Sequence, residues 1–206
     1  SLAPSLAFQD EFGYQSQKLA LGGGATRSKI AENTSSLPLD RLIFNYNHFH
    51  NAIDDNLVES TNVDRFTLGF EKTFLDQMTS IEVRMPFVAD NDFTMSGYTR
   101  NGSDVGNLSV ILKGVLASNS DSLLAAGLTI DTPTGGGTRL RINNIADPLI
   151  LDARNEAVHL SPFLGFLHAS GRGNTHQGLL QIDVPTNANG LAFTDASGTN
   201  STELIE

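Results

Sequence analysis

Seven stretches of this chain alternate apolar and polar residues, and the connections between them run long, short, long, short. Alternation with period two gives a strand two unlike faces. That rhythm of connections is the one an antiparallel β-barrel writes into its sequence when it crosses a membrane. The expected fold class is all-β: an antiparallel up-and-down transmembrane β-barrel, seven to eight strands of it present.

The clearest stretch is RFTLGFEKTF. Phe66, Leu68, Phe70 and Phe74 share one strand face, and Arg65, Thr67, Gly69, Glu71 and Thr73 the other. A helix would scatter both sets around its axis. Ile81, Val83, Met85 and Phe87 then alternate with Glu82, Arg84 and Pro86, across a gap at 76–79 short enough for a tight turn, so the two runs read as one hairpin. A two-residue turn at Gln77 and Met78 sets Glu71 opposite Arg84, whereas a four-residue turn sets it opposite Glu82. Like charges face to face are destabilising, which favours the first register.

A first strand is expected at 41–49, with Leu42, Phe44 and Tyr46 set against Ile43, Asn45 and Asn47. A fourth at 106–116 carries Leu108, Val110, Leu112 and Leu116 outward. The turn Ser118, Asn119, Ser120, Asp121 leads to a fifth with Leu124, Ala126, Leu128 and Ile130. Strands six and seven fall at 159–169 and 175–184, around the turn-rich 170–174. The connections 50–62, 88–105 and 132–158 are long, polar and rich in Asn, Asp, Gly and Ser. A strand of about ten residues rising about 3.3 Å each, tilted about 45°, climbs roughly 23 Å, close to the apolar band of about 25 Å that a membrane barrel presents.

With 206 residues the chain is long enough to bury a core as one domain. Its longest apolar run, 123–128, falls far short of the roughly 20 residues of a spanning helix. Any crossing is by strands. The absence of cysteine excludes a disulfide framework and thiolate metal sites. A formal net charge of -10 with no basic cluster argues against a nucleic-acid partner. No leader is visible although export of a barrel requires one, so the N-terminus is expected to be processed or trimmed. Residues 1–39, broken by Gly22, Gly23, Gly24, Ser35, Ser36 and Pro38, read as an irregular segment ahead of the barrel region 40–206. Seven strands is an odd number, whereas closed single-chain bacterial barrels take an even one. Either residues 191–194 begin an eighth strand or the chain is part of a longer barrel, and the second is the expectation.

The ordered series RLIFNYNHF, RFTLGFEKTF, SIEVRMPF, GNLSVILKGVL, GLTIDTPTG, LSPFLGFLH and QGLLQIDVPTN resembles outer-membrane β-barrel proteins of planctomycete-type bacteria to which a transporter role is ascribed. The likeness covers roughly 40–189. It implies a bacterial outer-membrane location and a barrel of more than eight strands, and it carries no catalytic residue over to this chain.

If the Phe and Leu faces meet lipid, then Arg65, Glu71, Glu82, Arg84, Lys113 and Asp131 line the lumen, as polar filling or as groups that tune a pore. Phe66, Leu68, Phe70, Phe74, Ile81, Val83, Leu108, Val110, Leu112, Leu128 and Ile130 are then the lipid-facing set. Parity also puts Lys72 on the lipid face, at up to about 2–4 kcal/mol at mid-membrane and little near an interface. Its stem is expected to run along the strand toward the headgroups.

Other chemistry is thinly supported. His48 and His50 share a strand face without a third ligand. Asp54, Asp55 and Asn56, like Asp90, Asn91 and Asp92, do not follow the calcium-loop pattern. Neither Gly22 to Gly24 nor Gly135 to Gly137 ends as a phosphate loop does, and both read as flexible turns. Ser161 with His159, and Ser170 with His168, lack an orienting acid and an oxyanion site. No enzyme activity, cofactor or metal is expected.

The leading functional expectation is a pore or transporter for small solutes. Its charge selectivity would be weak, with three lumen cations against three anions, shifted toward cations only by Asp54, Asp55, Glu59, Asp90, Asp92 and Asp104. The alternatives are a plugged structural or surface-binding barrel, and a soluble secreted β-sandwich whose Phe66, Leu68, Phe70 face packs on a second sheet.

Overall fold

The computed structural model describes residues 5–10, 13–18, 35–55, 58–89, 93–95, 98–101, 105–142, 149–170, 173–195 and 198–204, and among them strands occur without any helix. The strands are β1 (Ser5–Asp10), β2 (Gly13–Lys18), β3 (Arg41–Asp55), β4 (Val58–Phe74), β5 (Thr79–Ala89), β6 (Phe93–Met95), β7 (Tyr98–Asn101) and β8 (Leu108–Ser118). They continue with β9 (Ser122–Thr132), β10 (Thr138–Ile142), β11 (Leu149–Ala153), β12 (His159–Ala169), β13 (Thr175–Gln181), β14 (Val184–Pro185), β15 (Asn189–Asp195) and β16 (Gly198–Leu204).

The main sheet is an antiparallel meander in the order β3, β4, β5, β8, β9, β12, β13, with β14 also on β12, and it curls into a half-barrel. This is the incomplete up-and-down barrel that the alternation implies. A second sheet runs β6, β7, β10, β11, β15, β16. Each of its members but the last adjoins a main strand in the chain: β6 follows β5, β7 precedes β8, β10 follows β9, β11 precedes β12, and β15 follows β14. The neighbours recur in the same order, so the second sheet prolongs the same wall.

Hydrogen bonds between neighbouring wall positions continue through the seam where the two sheets meet. Gly106 N donates to Pro86 O at 2.9 Å, Arg154 N to Gly190 O at 2.8 Å and Thr186 N to Val158 O at 2.8 Å. Where the ladder breaks, asparagines stand in for it. Asn107 Oδ1 accepts from Gly135 N at 3.1 Å and from Asn155 Nδ2, and Asn189 Oδ1 accepts from Glu156 N and Ala157 N, both at 2.8 Å. A Cβ on Gly135 would meet Val105 O at 2.9 Å, so this glycine permits close packing in the seam rather than serving as a flexible turn.

Two expectations are corrected here. Stretches expected as long loops, 50–62, 88–105 and 132–158, carry paired strand: β3 and β4 extend into the first, β6 and β7 lie in the second, β10 and β11 in the third. Residues 5–10 and 13–18 of the irregular segment are strands, β1 and β2, paired antiparallel. Residues 191–194 belong to β15, which prolongs the seventh wall strand, and the following arm is β16.

Candidate functional site

Cross-strand register stacks the concave side chains in rows. One row reads Ile43, Gly69, Arg84, Ser109, Asp131, His159 and Pro185, and the next, toward the short turns, reads Arg41, Glu71, Glu82, Ile111, Thr129 and Ser161. Between them on the convex side lie Leu42, Phe70, Val83, Val110, Ile130, Leu160 and Val184, one apolar residue per wall position.

All six residues expected inside are buried: Arg65, Glu71, Glu82, Arg84, Lys113 and Asp131, with Glu82 at 0% exposure and Arg84 at 1%. None of the eleven expected outside is buried. Leu68, Phe70, Phe74, Ile81 and Leu112 are exposed, and Phe66, Val83, Leu108, Val110, Leu128 and Ile130 are intermediate. The second sheet lies end to end with the main one, not across the Phe66, Leu68, Phe70 face, where Phe70 keeps 52% of its surface.

The expected hairpin register is overturned: Glu71 pairs with Glu82, and Gly69 with Arg84. The turn is four residues long, 75–78, closed by Met78 N donating to Leu75 O at 3.0 Å. Leu75, Asp76 and Gln77 have φ of 51°, 54° and 65°. Such left-handed angles are disfavoured for residues with a Cβ. Repulsion between the two glutamates does not decide the register, because neighbouring strands supply cations to both. Arg41 Nε lies 2.7 Å from Glu71 Oε2 and its NH2 3.0 Å from Glu82 Oε2. Lys113 Nζ lies 3.0 Å from Glu71 Oε2 and also donates to Glu82 Oε2. Arg84 Nε donates to Glu82 Oε1, while Ser80 Oγ donates to Glu71 Oε1 at 2.6 Å. Three cations thus share two buried carboxylates, and hydrogen bonds occupy the remaining oxygen positions, the condition under which buried charge is tolerated.

Two glycines make room on this face. A Cβ on Gly69 would sit 2.7 Å from Val83 O and 3.1 Å from Arg84 Cγ. Phe163 lies across Gly127, where a Cβ would fall 2.1 Å from the ring, so the ring covers the bare backbone of its cross-strand partner.

Along the upper row, Ser109 Oγ donates to Asp131. Ser161 Oγ donates to Asp183 Oδ1 at 3.1 Å, and His159 Nδ1 lies 3.4 Å from that same oxygen. The acid therefore sits between serine and histidine, which is not the order of a nucleophilic relay. His168 Nδ1 instead meets Ser122 Oγ at 2.8 Å. His48 Nδ1 lies 2.7 Å from Asp64 Oδ1, which also accepts from Tyr46 Oη at 2.8 Å. No group of metal-ligating side chains occurs among the described residues. The side chains of His50, Asp54 and Asp55, and the runs at 22–24 and 90–92, lie outside them.

Lys72 is outward-facing and its ammonium meets Asp40 Oδ2 at 2.6 Å, while Asp40 Oδ1 accepts from Thr73 N at 2.6 Å and Thr73 Oγ1 at 2.7 Å. The hydrogen bond from Lys72, then those from Thr73, hold the Asp40 carboxyl well below its ordinary range.

Beyond the seam the polarity of the wall reverses. The buried positions there carry Thr138, Leu151, Ala153 and Ala157 in place of charges, with Leu191 beside Ala153. The other face now carries charge: Arg139 NH2 pairs with Asp152 Oδ2 at 3.1 Å, with both side chains open to solvent. Below the seam the wall is apolar outside and ionic inside, and above it the order is that of an ordinary water-soluble protein.

Arg41, Asp183 and Ser80 are parts of the concave face that the sequence reading passed over. Arg41 heads the same parity as Ile43, Asn45 and Asn47, a signal that was present. Asp183 shares the inward parity of Gln181 and Pro185 and falls opposite Ser161, so period two carried that signal as well. With Arg41 and Asp183, the concave face of the main sheet carries four cations (Arg41, Arg65, Arg84, Lys113) and four anions (Glu71, Glu82, Asp131, Asp183) among the described residues.

No family model matches this chain, and no match is found among curated proteins or solved structures.

Proposed function

We propose that this chain is wall of a bacterial outer-membrane β-barrel, of the kind it resembles in planctomycete-type bacteria, and that its role is passage of small solutes with little charge preference. One observation carries the reading. An unbroken convex row of apolar side chains backs onto rows of buried charge, and both reverse at a seam of asparagines. In water the same row would stand exposed as a contiguous apolar patch, and large patches of that kind mark interaction or membrane surfaces. The eleven residues of β8 or β12, at about 3.3 Å each and tilted about 45°, climb roughly 26 Å, which matches the apolar band of about 25 Å. Lipid is the partner of the convex face, and the reversed section stands outside the bilayer on the side of the longer connections.

The equal numbers of inward cations and anions support weak selectivity. A second reading, a sealed barrel that anchors the outer section, is favoured by the near-zero exposure of Glu82 and Arg84. Reconstitution of the full chain separates these. Discrete conductance steps in a planar bilayer support the pore. A heat-modifiable, detergent-requiring protein that leaves the bilayer silent supports the anchor. A monomer that stays soluble without detergent removes both.

A further inference from the structure

The residues just ahead of β3 cross the concave face. Ser36 lies against Gly165 of β12, so closely that a Cβ there would sit 2.2 Å from the serine's Cβ and Oγ. Pro38 is buried. Leu39 N donates to Glu71 Oε1 at 3.1 Å, and two residues later Arg41 opens the first wall strand. In five residues the chain passes from the sixth strand of the main sheet to the first. Five extended residues reach at most roughly 18 Å, so the segment takes the chord of the curled wall and not its circumference. Both anchor points, Gly165 and Glu71, have inward parity, and β12 at Gly165 is close to its short-turn end.

We propose that residues 35–40 form a strap that closes the interior at the short-turn end and opens by leaving its seat on Gly165. The proposal rests on the pore reading and adds its regulation. Two features make the strap separable. Its seat on β12 is a serine on a bare glycine backbone. Its bond to Glu71 can also be given up without stranding buried charge, because Ser80, Arg41 and Lys113 still serve that carboxylate. Its base, by contrast, is clasped on the other side of β4 by Asp40 on Lys72 and Thr73. That combination describes a hinged flap: held at 40, releasable at 36.

The chain has no cysteine, so a Ser36→Cys/Gly165→Cys pair can be studied without interference. A disulfide needs Cβ atoms about 3.8 Å apart, which the strap reaches by shifting about 1.5 Å. In the full chain reconstituted in a planar bilayer, the oxidised pair is expected to be closed and the reduced pair to conduct at least about tenfold more. Equal conductance in both redox states overturns the proposal, as does failure of the disulfide to form in the folded protein. If both states are silent, the pore reading fails and the strap is judged separately by labelling Ser36→Cys alone with a membrane-impermeant maleimide. Modification within minutes in the folded protein shows a strap that opens, and protection over hours overturns it.

Discussion

Glu71 and Glu82 stand directly opposite each other on β4 and β5, and the ammonium of Lys113 is shared between them. Two like charges on cross-strand partners are thereby made into the centre of a network that reaches from β3 to β8. The arrangement is stable only as a whole, since each buried carboxylate answers to more than one cation.

Removing one member should therefore be expensive. Glu82→Ala leaves Arg84 and Lys113 buried beside an oxygen that is gone, and a loss of about 3–5 kcal/mol is expected. Joint replacement of Glu82 and Lys113 by apolar residues of similar volume should cost less than either single change. Urea unfolding of the protein in detergent micelles or vesicles measures both.

Substitutions on the convex face should follow depth. Phe70→Arg, in the middle of the apolar row, is expected to destabilise by about 2–4 kcal/mol in a bilayer, and Phe74→Arg, at the strand end beside the turn, by no more than about 1 kcal/mol. Folding into lipid vesicles reads the difference. Equal, small effects at both positions would remove lipid from the picture.

Gly127→Ala places a methyl group where the Phe163 ring and Leu112 O already sit, at 2.1 and 2.4 Å. A loss of about 1–3 kcal/mol is expected from overpacking. Adding Phe163→Leu to Gly127→Ala should recover part of it in the same unfolding assay.

The Asp40 clasp should outlast ordinary carboxylate titration. Its folded pKa is depressed, so its contribution is present above the usual aspartate pKa and is lost only as pH falls through the lower, folded value. Limited proteolysis at 35–40 should therefore stay flat from neutral pH to about the unperturbed value of about 3.9 and rise only below it. Asp40→Asn, which removes the charge, should show the faster cleavage already at neutral pH.

The faces of the wall were legible in the sequence because period two survives every local detail: each of Phe66, Leu68 and Phe70 faces out and each of Arg65, Glu71 and Glu82 faces in. The register was not. Choosing between Arg84 and Glu82 as the partner of Glu71 by pairwise charge ignores Arg41 and Lys113, which come from strands distant in sequence. The strands in 88–105 and 132–158 were also hidden. In the second of these the buried Leu151 and Ala153 are apolar while Arg139 and Asp152 on the other face are charged, the reverse of the main sheet, and Asn, Gly and Pro at the seam break the period at the point of reversal. Arg41 was within reach, standing one position ahead of the alternation that identified Leu42 and Phe44.

The ionic network on the concave face draws on β3, β4, β5 and β8, whose contributing residues run from Arg41 to Lys113. An isolated β4–β5 hairpin entering hydrocarbon would carry Glu71 and Glu82 without Arg41 and Lys113, two of the three cations that hold them, so early pieces of the wall lack the network that neutralises them. On the barrel reading, assembly is therefore expected to be concerted, with four neighbouring strands meeting before any of them settles.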